Sequence, residues 1–199
     1  KRVVEMVSAD ALYLHLNPMQ EALQPEGDTN WAGLLEKIAR LVSKMPVPVW
    51  VKEVGTGLDQ KTIKDLVNVG VNGIDVAGAG GTSWTWIEGQ RSGNKNLTDW
   101  FANFGIPTEQ ALLEAVRNKG QAKVIASGGI RSPIQGLKAL LMGANFYSAA
   151  RPFLDPAMKS SEEVIKLLQD WEKGLKIAMF GIGKKSILSP TEKPSRLGS

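Results

Sequence analysis

The sequence predicts an α/β protein, a (β/α)8 TIM barrel represented by about five βα units, and three observations carry that expectation. Short runs rich in Val and Ile alternate with segments of helical period, the pattern of βαβ units in a parallel sheet. Strands run straight into glycine, asparagine or charged residues at their carboxyl ends, where such barrels keep their chemistry, whereas helices close on plain capping glycines. Five units fall short of the eight strands and ~250 residues that close a barrel, so the chain is expected to be an incomplete one.

Residues 11–16 form the first expected strand. A helix over residues 31–43 follows, because Leu34, Leu35, Ile38, Leu41 and Val42 recur on one face. Next come a strand at 49–54, a helix at 60–69 stopped by Gly70, a strand at 73–76 and a long polar loop rich in Gly, Trp and Asn. A helix at 108–118, a strand at 123–126, a helix at 133–141 ending at Gly143, a strand at 145–149 and a long helix from about 161 to 180 complete the order.

Of 199 residues, 43% are hydrophobic and 22% charged, values suited to a soluble domain with a substantial core. One domain is expected over 1–199, structured from about 9 to 183, with a basic tail at 184–199. No run approaches the ~20 apolar residues of a membrane span, and the first residues lack a signal-peptide core, so a cytoplasmic protein is expected. The absence of cysteine excludes disulfides, thiolate metal sites and cysteine nucleophiles, and His15 is the only histidine. The net charge of +4 lies largely in the tail without interleaved aromatics, which argues against nucleic acid.

Ser127-Gly128-Gly129-Ile130 leaves a strand and enters a helix, where glycine lets backbone N–H groups approach a phosphate; an ordinary tight turn is the alternative. Ala149 and Ala150 end the next strand on small side chains, leaving room for the same phosphate. Lys52 stands among apolar strand residues, suited to the electron-rich edge of a flavin, or simply a solvated rim lysine. Its neighbour Glu53 is expected to pair with it or with another rim cation. His15 and Asn17, read as two apart on a strand, point one way, and a turn at Pro18 projects Gln20 and Glu21 nearby. That cluster suits a diphosphate and a hard Mg²⁺ ion, which uses few protein ligands. Gly78-Ala79-Gly80-Gly81-Thr82-Ser83 is a glycine-rich loop in which Thr82 can donate to a cofactor; Trp84 and Trp86 cover a substrate or seed the core.

Taken together, His15-Leu16-Asn17-x-x-Gln20-Glu21, Pro25-Glu26-Gly27-Asp28, Val51-Lys52-Glu53-Val54-Gly55, Gly78-x-Gly80-Gly81-Thr82 and Ala126-Ser127-Gly128-Gly129 resemble the type 2 isopentenyl diphosphate isomerase family. The resemblance implies an FMN-bound barrel that interconverts isopentenyl and dimethylallyl diphosphate with Mg²⁺, reduced flavin and NADPH as reductant, in a homo-oligomer. It places His15, Asn17 and Gln20 at the substrate and the reaction, and Glu21 at Mg²⁺. Lys52, Thr82, Gly128, Gly129, Ile130, Ala149 and Ala150 fall on FMN-contacting positions. Ala77 stands where the family often has a flavin-contacting serine, and the family's amino-terminal third has no counterpart here. Two rival readings are an FMN-dependent 2-hydroxy-acid oxidoreductase and a non-catalytic fragment that binds phosphate or maintains an oligomer.

Overall fold

A computed structural model describes residues 1–187. Within them five parallel strands form one sheet in chain order: β1 (Leu12–His15), β2 (Val49–Lys52), β3 (Gly73–Asp75), β4 (Lys123–Ala126) and β5 (Phe146–Tyr147). The helices are α1 (Arg2–Met6), α2 (Pro18–Leu23), α3 (Leu34–Val42), α4 (Gln60–Asn68), α5 (Trp84–Ser92), α6 (Lys95–Phe101), α7 (Thr108–Asn118), α8 (Pro133–Leu141), α9 (Arg151–Ala157) and α10 (Ser161–Gly181).

Strand alternation divides the sheet into two faces. Leu14, Val51, Ile74 and Val124 share one register row and pack under the helices with Ile38, Ile63, Leu66, Leu112 and Ala115. This is the core. The opposite face carries Tyr13 stacked on Trp50 at 5.6 Å, with Phe146 6.2 Å from the Trp50 ring, and, two residues beyond Tyr13 and Trp50, His15 and Lys52 in one row with Asp75. Gly73 is glycine because a Cβ there would fall 2.1 Å from the Trp50 ring. The helix ends are locally encoded: Asp59, Ser132 and Ser160 accept the N–H groups of Thr62, Gln135 and Glu163, and Pro133 sits at the start of α8, where its missing N–H costs nothing. Trp171 of α10 donates to the Tyr147 hydroxyl at 2.7 Å, fastening the last long helix to β5.

The expected helices at 108–118 and 133–141 and the strand at 123–126 stand with those bounds, while the other expected strands are shorter. The long polar loop is corrected: it holds α5 and α6. Neither has a clear apolar period, but Ser83 and Asn94 cap them by accepting from Trp86 and Leu97, and Gly89 lets them touch, since a Cβ there would lie 2.7 Å from the Thr98 backbone. The turn expected at Pro18 is instead α2, with Pro18 in its first turn and Asn17 as N-cap. Asn17 therefore does not share a strand with His15, where β1 ends. Short α1 precedes residue 9, where order was expected to begin, and α9 was also unforeseen. Of the expected basic tail, residues 188–199 lie outside the described residues.

Candidate functional site

The carboxyl ends of the strands open on a cavity of about 1080 Å³. It is lined by His15, Asn17, Gln20 and Glu21 on one side, Lys52 and Thr82 in the middle, and Gly128, Gly129, Ile130, Ala149 and Ala150 on the other. The structure thus brings every nominated residue to one place, although they come from five separate connections.

Folding as a helix changes what the first group can do. The Asn17 side-chain amide donates to Glu21 Oε1 at 2.8 Å, and the Asp28 N–H donates to Oε2 at 3.0 Å. Gly27 makes this fold-back possible, because a Cβ would meet the Glu21 carbonyl oxygen at 1.8 Å. Glu21 is thereby held in one orientation, with a lone pair on each oxygen still unused. Gln20 Nε2 donates to Glu88 Oε1 at 3.0 Å, and Gln24 Nε2 to the same atom at 2.9 Å. Arg91 Nη1 donates to Glu88 Oε2 at 2.5 Å and Nη2 to Glu26 at 2.9 Å. Glu88 is 2% exposed. Burial alone would raise its pKa, but the hydrogen bonds from Gln20, Gln24 and Arg91, with the Arg91 charge, outweigh burial and hold it below the usual range. The network locks α2 to α5 and engages the Gln20 amide through its nitrogen. Sequence reasoning had no signal for Glu88, which fell in the segment taken for a loop.

His15, Lys52 and Asp75 form one row across β1, β2 and β3, each the register partner of the next. Lys52 Nζ donates to the Glu53 carbonyl oxygen at 2.9 Å. The expected pairing of the Glu53 carboxylate with a cation is corrected: at 2% exposure, its Oε2 accepts the N–H groups of Val54, Gly55, Thr56 and Gly57, and its Oε1 the Thr56 hydroxyl, all within 2.6–3.0 Å. A ring of donors takes the place of water around it and shapes the β2–α4 connection. Burial and the nearby Lys52 charge lower the His15 pKa, partly offset by Glu53 and Glu21. Asp75 is buried and accepts from the Ser127 hydroxyl. Burial lifts its pKa against the opposing effects of Ser127, Lys52 and the Ala77 backbone. The sequence reading did not single out Asp75, although a carboxylate in an otherwise apolar strand is the signal that could have found it.

At the far end, Gly128 and Gly129 adopt φ of 99° and 85°, open to glycine and costly to other residues. Their first neighbours are protein: a Cβ on Gly128 would lie 2.1 Å from the Gly78 carbonyl oxygen, and one on Gly129 2.0 Å from that of Gly80. The glycines therefore let two loops interlock, with Thr108 Oγ1 donating to the Gly128 carbonyl at 2.6 Å. Arg131 and Arg151 border the cavity beside these loops and add positive charge that the sequence reading had not assigned. Ala77 takes φ 37°, a left-handed conformation at the start of the glycine-rich loop. Trp84 borders the cavity at 41% exposure and Trp86 is 46% exposed, so neither seeds the core.

A five-stranded parallel α/β sheet whose strands end on one cavity, lined by a lysine, two arginines and two interlocked glycine loops, defines the class of partial (β/α)-barrels with a site at the carboxyl ends of the strands. Within it, the chain belongs to the FMN-dependent dehydrogenase family, whose model matches residues 14–193. It is 46% identical over 186 residues to an isopentenyl-diphosphate delta-isomerase of Hydrogenovibrio crunogenus, covering 92% of this chain and 54% of that protein. With the same-named protein of Pseudescherichia vulneris it shares 44% over 190 residues, 94% of this chain and 55% of the relative. The chain spans about half the length of these curated relatives. A crystal structure of mandelate oxidase shares the fold, with a TM-score of 0.64 and 20% identity over 94% of this chain and 56% of that one.

Proposed function

We propose that the protein carrying this chain is an isopentenyl-diphosphate delta-isomerase that interconverts isopentenyl and dimethylallyl diphosphate. The observation that carries this reading is the placement of Gln20 and Glu21, fixed on α2, over the same cavity that Lys52 and the interlocked glycine loops line. The sequence likeness to relatives of that name supports it.

The residues fit an FMN. The cavity, at about 1080 Å³, slightly exceeds the ~300–1,000 Å³ typical of ligand sites, with room for a cofactor and a small diphosphate together. The N–H groups of the Gly128–Gly129–Ile130 segment, Arg131 and Arg151 would hold the phosphate, Ala149 and Ala150 would leave it space, and Thr82 and Lys52 would meet the ring. Reduced FMN supplies the proton-transfer chemistry when bound, which suits a reaction that adds one proton and removes another without net redox change. His15 and Asn17 orient the diphosphate, and Gln20, steadied by Glu88, presents its carbonyl oxygen to the substrate. Trp84 helps to exclude water.

Among the described residues no three His, Cys, Asp or Glu side chains converge to hold a metal by themselves. Glu21 would therefore bind Mg²⁺ jointly with the diphosphate and water, the usual habit of this ion. The reading includes NADPH as reductant of the flavin, a homo-oligomer and a cytoplasmic location; no described helix is long and apolar enough to cross a membrane. The 2-hydroxy-acid oxidoreductase reading is disfavoured because residues 78–83 offer no histidine to abstract a substrate proton, and His15 lies at the end of β1.

The test is isomerisation of isopentenyl diphosphate by the complete protein with FMN, Mg²⁺ and NADPH. Glu21→Gln keeps the shape but not the charge, so turnover at fixed Mg²⁺ should fall about 100-fold or more while FMN remains bound. Parental turnover with unchanged Mg²⁺ dependence would remove Glu21 from the metal site; no turnover in the parent would overturn the function. A second expectation concerns Lys52→Met. Losing the ammonium should lower the flavin midpoint potential by about 30 mV or more, because the anionic reduced ring loses more stabilisation than the oxidised one. An unchanged potential with FMN fully bound would place Lys52 away from the ring.

A further inference from the structure

Asp75 has no role in the reading above, yet it is a buried carboxylate beside the lysine assigned to the flavin. It ends β3 directly opposite Lys52 of β2, on the same inner face, and is 6% exposed. The Ser127 hydroxyl donates to its Oδ1, and Ser127 immediately precedes the glycine cradle. Lys52 Nζ donates to the Glu53 carbonyl oxygen, so ammonium and carboxylate share one wall of the cavity without a direct hydrogen bond. A buried carboxylate is costly unless a counter-charge and hydrogen bonds offset its lost hydration. Here Ser127 is the hydrogen bond and Lys52 the counter-charge.

We propose that Asp75 is the counter-charge that tunes Lys52: it balances the ammonium while the cofactor ring is neutral and thereby limits how strongly Lys52 favours the reduced, anionic ring. The proposal rests on the FMN reading. Two charges of opposite sign at one register position leave a nearly neutral wall. Reduction adds a negative charge to the ring, which Lys52 attracts and Asp75 repels. Removing the carboxylate should favour reduction, the opposite of removing the ammonium. A residue that only supports the fold would alter stability or FMN affinity without favouring one redox state in this sense.

The experiment uses the complete FMN-loaded protein at pH 8, chosen because burial lifts the Asp75 pKa above the ordinary aspartate range, with the potential measured by dye equilibration. Asp75→Asn keeps an acceptor for Ser127 and removes the charge; Asp75→Ser is a smaller neutral alternative should the amide disturb folding. Flavin absorbance gives occupancy and circular dichroism confirms the fold. Both variants are expected to shift the oxidised–reduced equilibrium at least tenfold toward the reduced form, a rise of about 30 mV for a two-electron couple, while Lys52→Met moves it the other way. An unchanged or lowered potential in a folded, FMN-loaded Asp75 variant overturns the proposal and leaves the FMN reading standing. Failure of the parent protein to bind FMN overturns both.

Discussion

Glu53→Ala should cost the complete protein about 4 kcal/mol of stability, although Glu53 has no proposed contact with substrate or cofactor. Its carboxylate gathers four backbone N–H groups and one hydroxyl, and alanine leaves all of these donors without their partner. Each stranded donor costs roughly 1–3 kcal/mol, reduced where water enters. For a protein of this size or larger the loss corresponds to a fall in Tm of roughly 8–16 °C or less as the chain lengthens. The connection from β2 to α4 should loosen as well, and with it the carbonyl that anchors Lys52. Thr56→Val is the control: it removes one donor and should cost about 1 kcal/mol. Calorimetry checks both, and a Glu53→Ala protein melting within about 2 °C of the parent would show that the ring of donors contributes little.

Gly129→Val should weaken FMN binding by about 100-fold or more. The branched side chain meets the Gly80 carbonyl oxygen, and φ of 85° disfavours any residue with a Cβ. The two loops must part, withdrawing at least two N–H groups from the phosphate; each charge-assisted bond is worth roughly 1.5–3 kcal/mol, so losing two accounts for the fall. The damage lies between loops, and the far-ultraviolet circular dichroism should persist. Fluorescence titration of the complete apo-protein with FMN measures it. Parental affinity in the folded variant would mean that this cradle holds no phosphate.

Much of the fold was legible because its signals are local. The helices at 108–118 and 133–141 announce themselves by apolar period, and Ser132-Pro133 carries its own start signal. Lys52, at the mouth of an apolar strand, stands out in the same way, whereas its partner Asp75 on the next strand is set by the pairing of β2 with β3. The segment 84–101 was misread for the opposite reason. Its two short helices are held by capping side chains and by the contact that Gly89 allows, and no apolar stripe marks them.

The sequence by itself determined the alternation of strands and helices and the strand-end location of the chemistry, since both follow from periodicity and side-chain type. Its short motifs, with the family resemblance, nominated eleven of the residues that line the cavity but not Asp75, Arg131 or Arg151. Tertiary structure alone decided who holds whom. Glu88 reaches Gln20 across 68 positions and Ser127 reaches Asp75 across 52, while Glu53 turned from an expected ion-pair partner into the centre of a backbone nest. Hydrogen bonds to buried charge depend on ångström-scale distance and direction, which folding sets between segments far apart in sequence.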